Sequence, residues 1–133
     1  MSKHVMVVDD EEDFLYEVEK ILEKAGHRVS TAKSGGLALK MLADMKPKPD
    51  LLLLDVMMPG LDGWELAKKI RKHSDIKDIT IAMLTVRGSV DDKLTSLEDA
   101  EATWHISKPI ERARFVDTVN WLLTNPPRRE AKR

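Results

Sequence analysis

The chain has 133 residues, room for one compact domain of ordinary size. Hydrophobic residues make up 42% and charged residues 34%, which supports a packed core under a solvated surface and excludes wholesale disorder. With 22 Lys+Arg against 23 Asp+Glu the formal net charge is −1, too balanced to steer nucleic acid or an anionic membrane, and the lack of cysteine excludes disulfides and thiolate chemistry.

No apolar run approaches the ~20 residues that span a bilayer. The N-terminus meets Asp9 and Asp10 too early for a signal-peptide apolar region. A cytoplasmic location is expected, with no membrane association.

Val5 to Val8 reads as a β-branched strand broken at Asp9, after which Phe14, Val18, Ile21, Leu22 and Ala25 recur at helical spacing and Gly26 supplies the stop. Arg28 to Ala32 reads as a second strand. Leu37, Ala38, Met41, Leu42 and Met45 mark a second helix, closed by Pro47 and Pro49. Leu51–Leu54 is fully apolar, the pattern of a parallel strand covered on both faces, and Asp55 ends it. After Pro59, Gly60 and Gly63 a third helix follows through Leu66, Ala67 and Ile70, then a strand from about Ile79 to Leu84. Val90, Leu94 and Leu97 suggest a fourth helix, Trp104 to Ile106 a fifth strand, and Phe115, Val116, Val119, Leu122 and Leu123 a fifth helix ended by Pro126 and Pro127.

Strands alternating with helices imply an α/β domain with a parallel sheet, because each parallel pair needs a crossover. In such sheets ligands bind beyond the carboxyl ends of the strands. Those ends carry Asp9 and Asp10, then Asp55, Thr85 and Lys108. Carboxylates held a few ångströms apart repel, so one would be driven to protonate unless a cation compensates. An all-oxygen donor set with few carboxylates favours Mg²⁺. Lys108 and the Thr85 hydroxyl suit phosphoryl oxygens, and Asp55 suits a nucleophile.

Taken together, Val-Val-Asp9-Asp10, Leu-Leu-Asp55-Val-Met-Met-Pro59-Gly60-Leu-Asp-Gly63, Leu84-Thr85 and Ser107-Lys108-Pro109 resemble the receiver domain of two-component response regulators. The resemblance implies a five-stranded parallel (βα)5 flavodoxin-like, doubly wound sheet of order 2-1-3-4-5. It also implies that Asp55 accepts a phosphoryl group from a histidine kinase or phosphotransfer protein. By the same carry-over Asp10, Asp55 and the Met57 backbone carbonyl ligate Mg²⁺, with Mn²⁺ an alternative occupant, and Asp9 supports the ion through water. Thr85 and Lys108 bind the phosphoryl oxygens, Thr85 and His105 form the switch, and the Lys108–Pro109 peptide is cis. The output surface is the face of the fourth helix, fifth strand and fifth helix. The module is a monomer or a phosphorylation-dependent dimer, and no direct DNA binding is expected.

Several positions depart from the commonest receiver residues. Val86, after Thr85, is larger than usual and should slow small phosphodonors. Met57 and Arg87 offer no carboxylate or carboxamide to orient water, so loss of the phosphoryl group should be slow. His105 stands where Tyr or Phe is usual and brings a group that titrates near neutral pH.

The receiver is expected over residues 3–124, with 125–133 a basic tail or linker stub and no output domain after it. Asp62 and Gly63 read as a turn and helix start. The four histidines lack metal-ligand spacing, so no zinc site is expected. Two competing functions are a small Mg²⁺-dependent phosphohydrolase with an Asp nucleophile and a phosphorylation-independent binding module. Met57 occupies the place where such a hydrolase needs a second acid, and the intact acidic set argues against the second alternative.

Overall fold

Leu51 to Leu54 are each fully buried, so the central strand is covered on both faces. The computed structural model describes residues 3–73, 76, 78–86 and 104–125. Its strands are β1(His4–Val8), β2(Arg28–Ala32), β3(Leu51–Asp55), β4(Thr80–Val86) and β5(Trp104–Lys108), and its helices are α1(Glu12–Lys24), α2(Gly35–Asp44), α3(Gly63–Arg71) and α4(Arg112–Thr124). All pairings are parallel and the sheet order is β2-β1-β3-β4-β5, as the resemblance implied. The expected helix at Val90, Leu94 and Leu97 lies outside the described residues.

The alternation of each strand divides the core in two. On one face Met6, Val8, Leu52, Leu54, Ile81 and Met83 pack with Ala38 and Leu42 of α2 and Leu66, Ala67 and Ile70 of α3. On the other, Val5, Val7, Leu51, Leu53, Ala82 and Leu84 pack with Leu15, Val18, Ile21 and Leu22 of α1 and Phe115, Val119, Leu122 and Leu123 of α4. At about 1.5–3 kcal/mol per buried aliphatic side chain, the two layers are the main source of stability.

Local sequence sets the helix boundaries. Gly26, at φ 97°, ends α1, and its N–H donates to the Glu23 carbonyl at 2.9 Å. Ser34 caps α2 through its hydroxyl, which accepts from the Leu37 N–H at 3.1 Å. Asp62 and Glu65 form a reciprocal capping box at the start of α3, which makes Asp62 a helix cap as the sequence suggests.

Three expectations need correction. The fully buried positions of α1 begin with Leu15, Phe14 is only partly buried against the same core, and Ala25 is the exposed C-cap. Leu37 is exposed on α2. β4 runs on through Thr85 and Val86, which pair with Ser107 and Lys108, so Thr85 and Lys108 lie within their strands rather than after them. The Lys46–Pro47 peptide is cis as well as Lys108–Pro109. Among the described residues no helix is long and apolar enough to cross a membrane.

Candidate functional site

The ends of β1, β3, β4 and β5 meet at one edge of the sheet because the strands are parallel and their registers align. The Asp9 N–H donates to the Ala32 carbonyl at 3.1 Å, which extends the β1 ladder one residue and holds the Asp9 side chain fully buried. One Asp9 oxygen, Oδ1, accepts from the Glu11 N–H at 2.9 Å and so fixes the approach to α1. The other, Oδ2, accepts from Lys108 Nζ at 2.7 Å. Asp10 is exposed beside it.

Asp55 closes β3 and is 4% exposed. Beyond it, the Val56 N–H donates to the Leu84 carbonyl at 3.0 Å, and the Gly63 N–H donates back to the Val56 carbonyl at 3.1 Å. The loop carrying Met57 and Met58 is thereby folded over the strand end. Only glycine fits at 63, because a Cβ there would stand 2.2 Å from the Asp55 carbonyl oxygen.

Asp9, Asp10 and Asp55 each offer a carboxylate oxygen, and these oxygens lie within 4.8 Å of one another. Burial first, and then the charge of Asp9, push the Asp55 carboxyl up to about 6, against the pull of Lys108 and of the Met57 backbone N–H. The sequence argument required such a repulsion, and here it adds to the larger effect of burial. Hard oxygen donors of this kind fit a small divalent ion.

Among the described residues Lys108 is the counter-charge to the cluster. Its Nζ lies 2.7 Å from Asp9, 3.4 Å from Asp55 and 3.8 Å from Glu11. Burial alone would lower the Lys108 ammonium, but the hydrogen bond to Asp9 and the charges of Asp55 and Asp9 outweigh it and hold the group above its ordinary value. The Lys108–Pro109 peptide that follows is cis.

Thr85 is 3% exposed, and its hydroxyl oxygen is buried without a hydrogen-bond partner. A buried hydroxyl left unpaired costs on the order of 1–3 kcal/mol. Such a group is stored capacity for a ligand oxygen. His105 pairs in register with Met83, and Thr85 with Ser107, so Thr85 and His105 share one face of the sheet. Met57 is 72% exposed and Val86 53% exposed, both at the rim. Arg87 lies outside the described residues.

Two contacts were not legible in the sequence. The Phe14 ring, which helical spacing assigns to the core face, lies under Lys108, with Nζ 4.5 Å from its centroid. Glu11 joins the Lys108 cluster from the turn before α1. Nothing local in the sequence signals either one, since both depend on how α1 meets β5.

The family model of the response regulator receiver domain matches residues 5–120 of the chain. Protein PilH of Pseudomonas aeruginosa is 29% identical over 119 residues, covering 90% of this chain and 96% of PilH. The transcriptional regulatory protein PrrA of Mycobacterium leprae is 38% identical over 122 residues, covering 92% of this chain but 50% of PrrA. The crystal structure of the Vibrio cholerae chemotaxis protein CheY4 superposes with a TM-score of 0.83 at 30% identity, covering 90% of this chain and 98% of that one. With the sheet order, the acidic strand-end cluster and a match across most of its length, the chain belongs to the response regulator receiver domain family, the phosphoacceptor module of two-component signalling.

Proposed function

We propose that Asp55 is the phosphoacceptor of this receiver and takes its phosphoryl group from a histidine kinase or a phosphotransfer protein. The observation that carries the assignment is Lys108, whose ammonium spans the carboxylates of Asp9 and Asp55. An Asp55 oxygen forms the new bond to phosphorus as the bond between phosphorus and the donor nitrogen breaks, and that electron pair stays on the departing imidazole. Lys108 and the unpaired Thr85 hydroxyl then receive the phosphoryl oxygens.

Asp10, Asp55 and the Met57 carbonyl would hold Mg²⁺, or Mn²⁺ in its place, with Asp9 acting through water. When bound, the cation neutralises the clustered carboxylates and the incoming phosphoryl charge. Buried Asp9 keeps Lys108 aimed at the cluster and orders the start of α1.

The reaction is stoichiometric rather than a multiple-turnover hydrolysis. Met57, two residues after Asp55, is exposed and carries no group that could position water. Val86 narrows the approach to Asp55 for small donors. The switch runs from Thr85 to His105, and the described part of the output surface comprises β5 and α4. Trp104 and Trp121 stand there half-exposed with ring centroids 5.7 Å apart. Its partner is a downstream protein rather than DNA, the unit spans residues 3–124 followed by a basic tail, and the setting is the cytoplasm.

The deciding experiment is intact mass after incubation with Mg²⁺ and acetyl phosphate, phosphoramidate or a phosphorylated kinase. One added phosphoryl group, absent in Asp55→Asn, is expected. No mass gain with any donor, or an equal gain in Asp55→Asn, overturns the assignment.

A further inference from the structure

The Lys108 ammonium is surrounded unevenly. Among the described residues Asp9 is closest at 2.7 Å, Asp55 is at 3.4 Å and Glu11 at 3.8 Å, and the Phe14 ring lies beside the ammonium with its centroid 4.5 Å away. An ammonium within about 6 Å of an aromatic face is attracted by the ring quadrupole, most strongly where water is excluded. The Lys108 side chain is 13% exposed, so this contact is largely dry.

Phe14 packs against the margin of the core and meets the Lys108 ammonium as well. Leu15, Val18, Ile21 and Leu22 fill the core side of α1, and Phe14 sits only partly buried beside that face. Asp9 couples the ring to the site. Its Oδ2 accepts from Lys108, and its Oδ1 accepts from the Glu11 N–H that sets the start of α1, three residues before Phe14. One buried carboxylate therefore places both the cation and the ring that covers it.

We propose that Phe14 is a positioning residue for phosphoryl transfer, holding Lys108 Nζ over the Asp9 and Asp55 pair through a cation–π contact. The proposal rests on the assignment of Asp55 and Lys108 above. An aliphatic side chain at 14 could fill the same space but would not attract the ammonium. Lys108 would then sample positions away from Asp55, and the phosphoryl group would meet a less ordered counter-charge.

The experiment replaces Phe14 by site-specific incorporation of mono-, di- and trifluorophenylalanine, which keeps the ring's shape while draining its quadrupole stepwise. Phe14→Leu and Phe14→Tyr complete the set. The rate of single phosphorylation by acetyl phosphate in Mg²⁺ is expected to fall progressively with fluorination, to be about 2- to 30-fold lower in Phe14→Leu, and to stay near wild type in Phe14→Tyr. In ¹³C-lysine spectra of the unphosphorylated protein, the Lys108 ε-methylene should carry an upfield ring-current shift that Phe14→Leu abolishes. A flat rate across the fluorinated series, or an ε-methylene shift unchanged in Phe14→Leu, overturns the proposal. Asp55→Asn run alongside separates the outcomes, since persistent phosphorylation in that variant sinks the phosphoacceptor assignment and leaves the ring-current result standing.

Discussion

Gly63 approaches Asp55 so closely that a Cβ at 63 would lie 2.2 Å from the Asp55 carbonyl oxygen and 2.9 Å from Met83 Cε. The contact couples the first residue of α3 to the strand end that carries the acidic cluster. Alanine is the better helix former by about 1 kcal/mol, yet here the opposing atom is backbone that cannot swing aside. Overpacking of this kind costs about 1–3 kcal/mol, so the clash wins. Gly63→Ala should lower the urea midpoint and slow phosphorylation of Asp55, because relief requires moving either α3 or the end of β3. Stability and rate equal to wild type would show that the loop relaxes without disturbing Asp55.

Asp55 itself is destabilising in the cation-free protein. Its folded-state value, raised to about 6 from 3.8, means the folded form prefers the protonated carboxyl. The resulting stabilisation is fully present below pH 3.8 and is lost as pH rises through about 6. At pH 7.5 in EDTA, Asp55→Asn should therefore be more stable than wild type by on the order of 1–3 kcal/mol, and the gap should narrow as pH falls toward 4. Denaturant titrations at three pH values check this, and a variant less stable than wild type at pH 7.5 contradicts it. Mg²⁺ should stabilise wild type and do less for Asp55→Asn, because only a folded, charged cluster binds the ion.

Much of this arrangement was legible in the sequence because parallel sheets write a plain signal. Leu51–Leu54 had to be a doubly covered strand, and Asp55 had to stand at its end. What escaped was set by long-range pairing. Thr85 and Val86 extend β4 only because β5 supplies Ser107 and Lys108 as partners, and no local pattern carries that information. Phe14 has the spacing of a core residue and does pack at the margin of the core, but Leu15 next to it is the more deeply buried, and the ring also meets a lysine 94 positions away in the chain. The unequal reach of Lys108 toward Asp9 and Asp55, and the unpaired Thr85 hydroxyl, are properties of packing and have no sequence signature.

On the proposed phosphoacceptor role of Asp55, the rim residues are expected to set the kinetics. Val86 is half-exposed at the end of β4, beside the strand end where a donor must approach. Val86→Ala should react several-fold faster with acetyl phosphate while changing little with a cognate kinase, whose docking positions the donor independently. Met57→Glu should shorten the lifetime of the phosphorylated form about tenfold or more, since a carboxylate there can orient the attacking water. In wild type that lifetime in Mg²⁺ should be minutes or longer. Decay within seconds, or a lifetime unmoved by Met57→Glu, would refute the role given to Met57.

At the opposite end of the sheet, His4 predicts an acid-labile contribution of the other sign. Burial first, then the charge of Arg28 on β2, lower its value from 6.5, while Asp50 before β3 raises it. Its Nε2 pairs with the Ser30 hydroxyl at 2.7 Å, and its Nδ1 is buried with no partner, so a second ring proton would find no acceptor. The folded state thus favours the neutral ring. That stability is present above pH 6.5 and is lost as pH falls from 6.5 through the lower folded-state value. Acidification strengthens the Asp55 contribution over an overlapping range, which would mask the effect in wild type. Urea midpoints measured in an Asp55→Asn background should therefore fall between pH 7 and pH 5, and adding His4→Gln should flatten that fall. A midpoint that rises on acidification in the Asp55→Asn background, or a fall that His4→Gln leaves intact, would assign the acid sensitivity to another group.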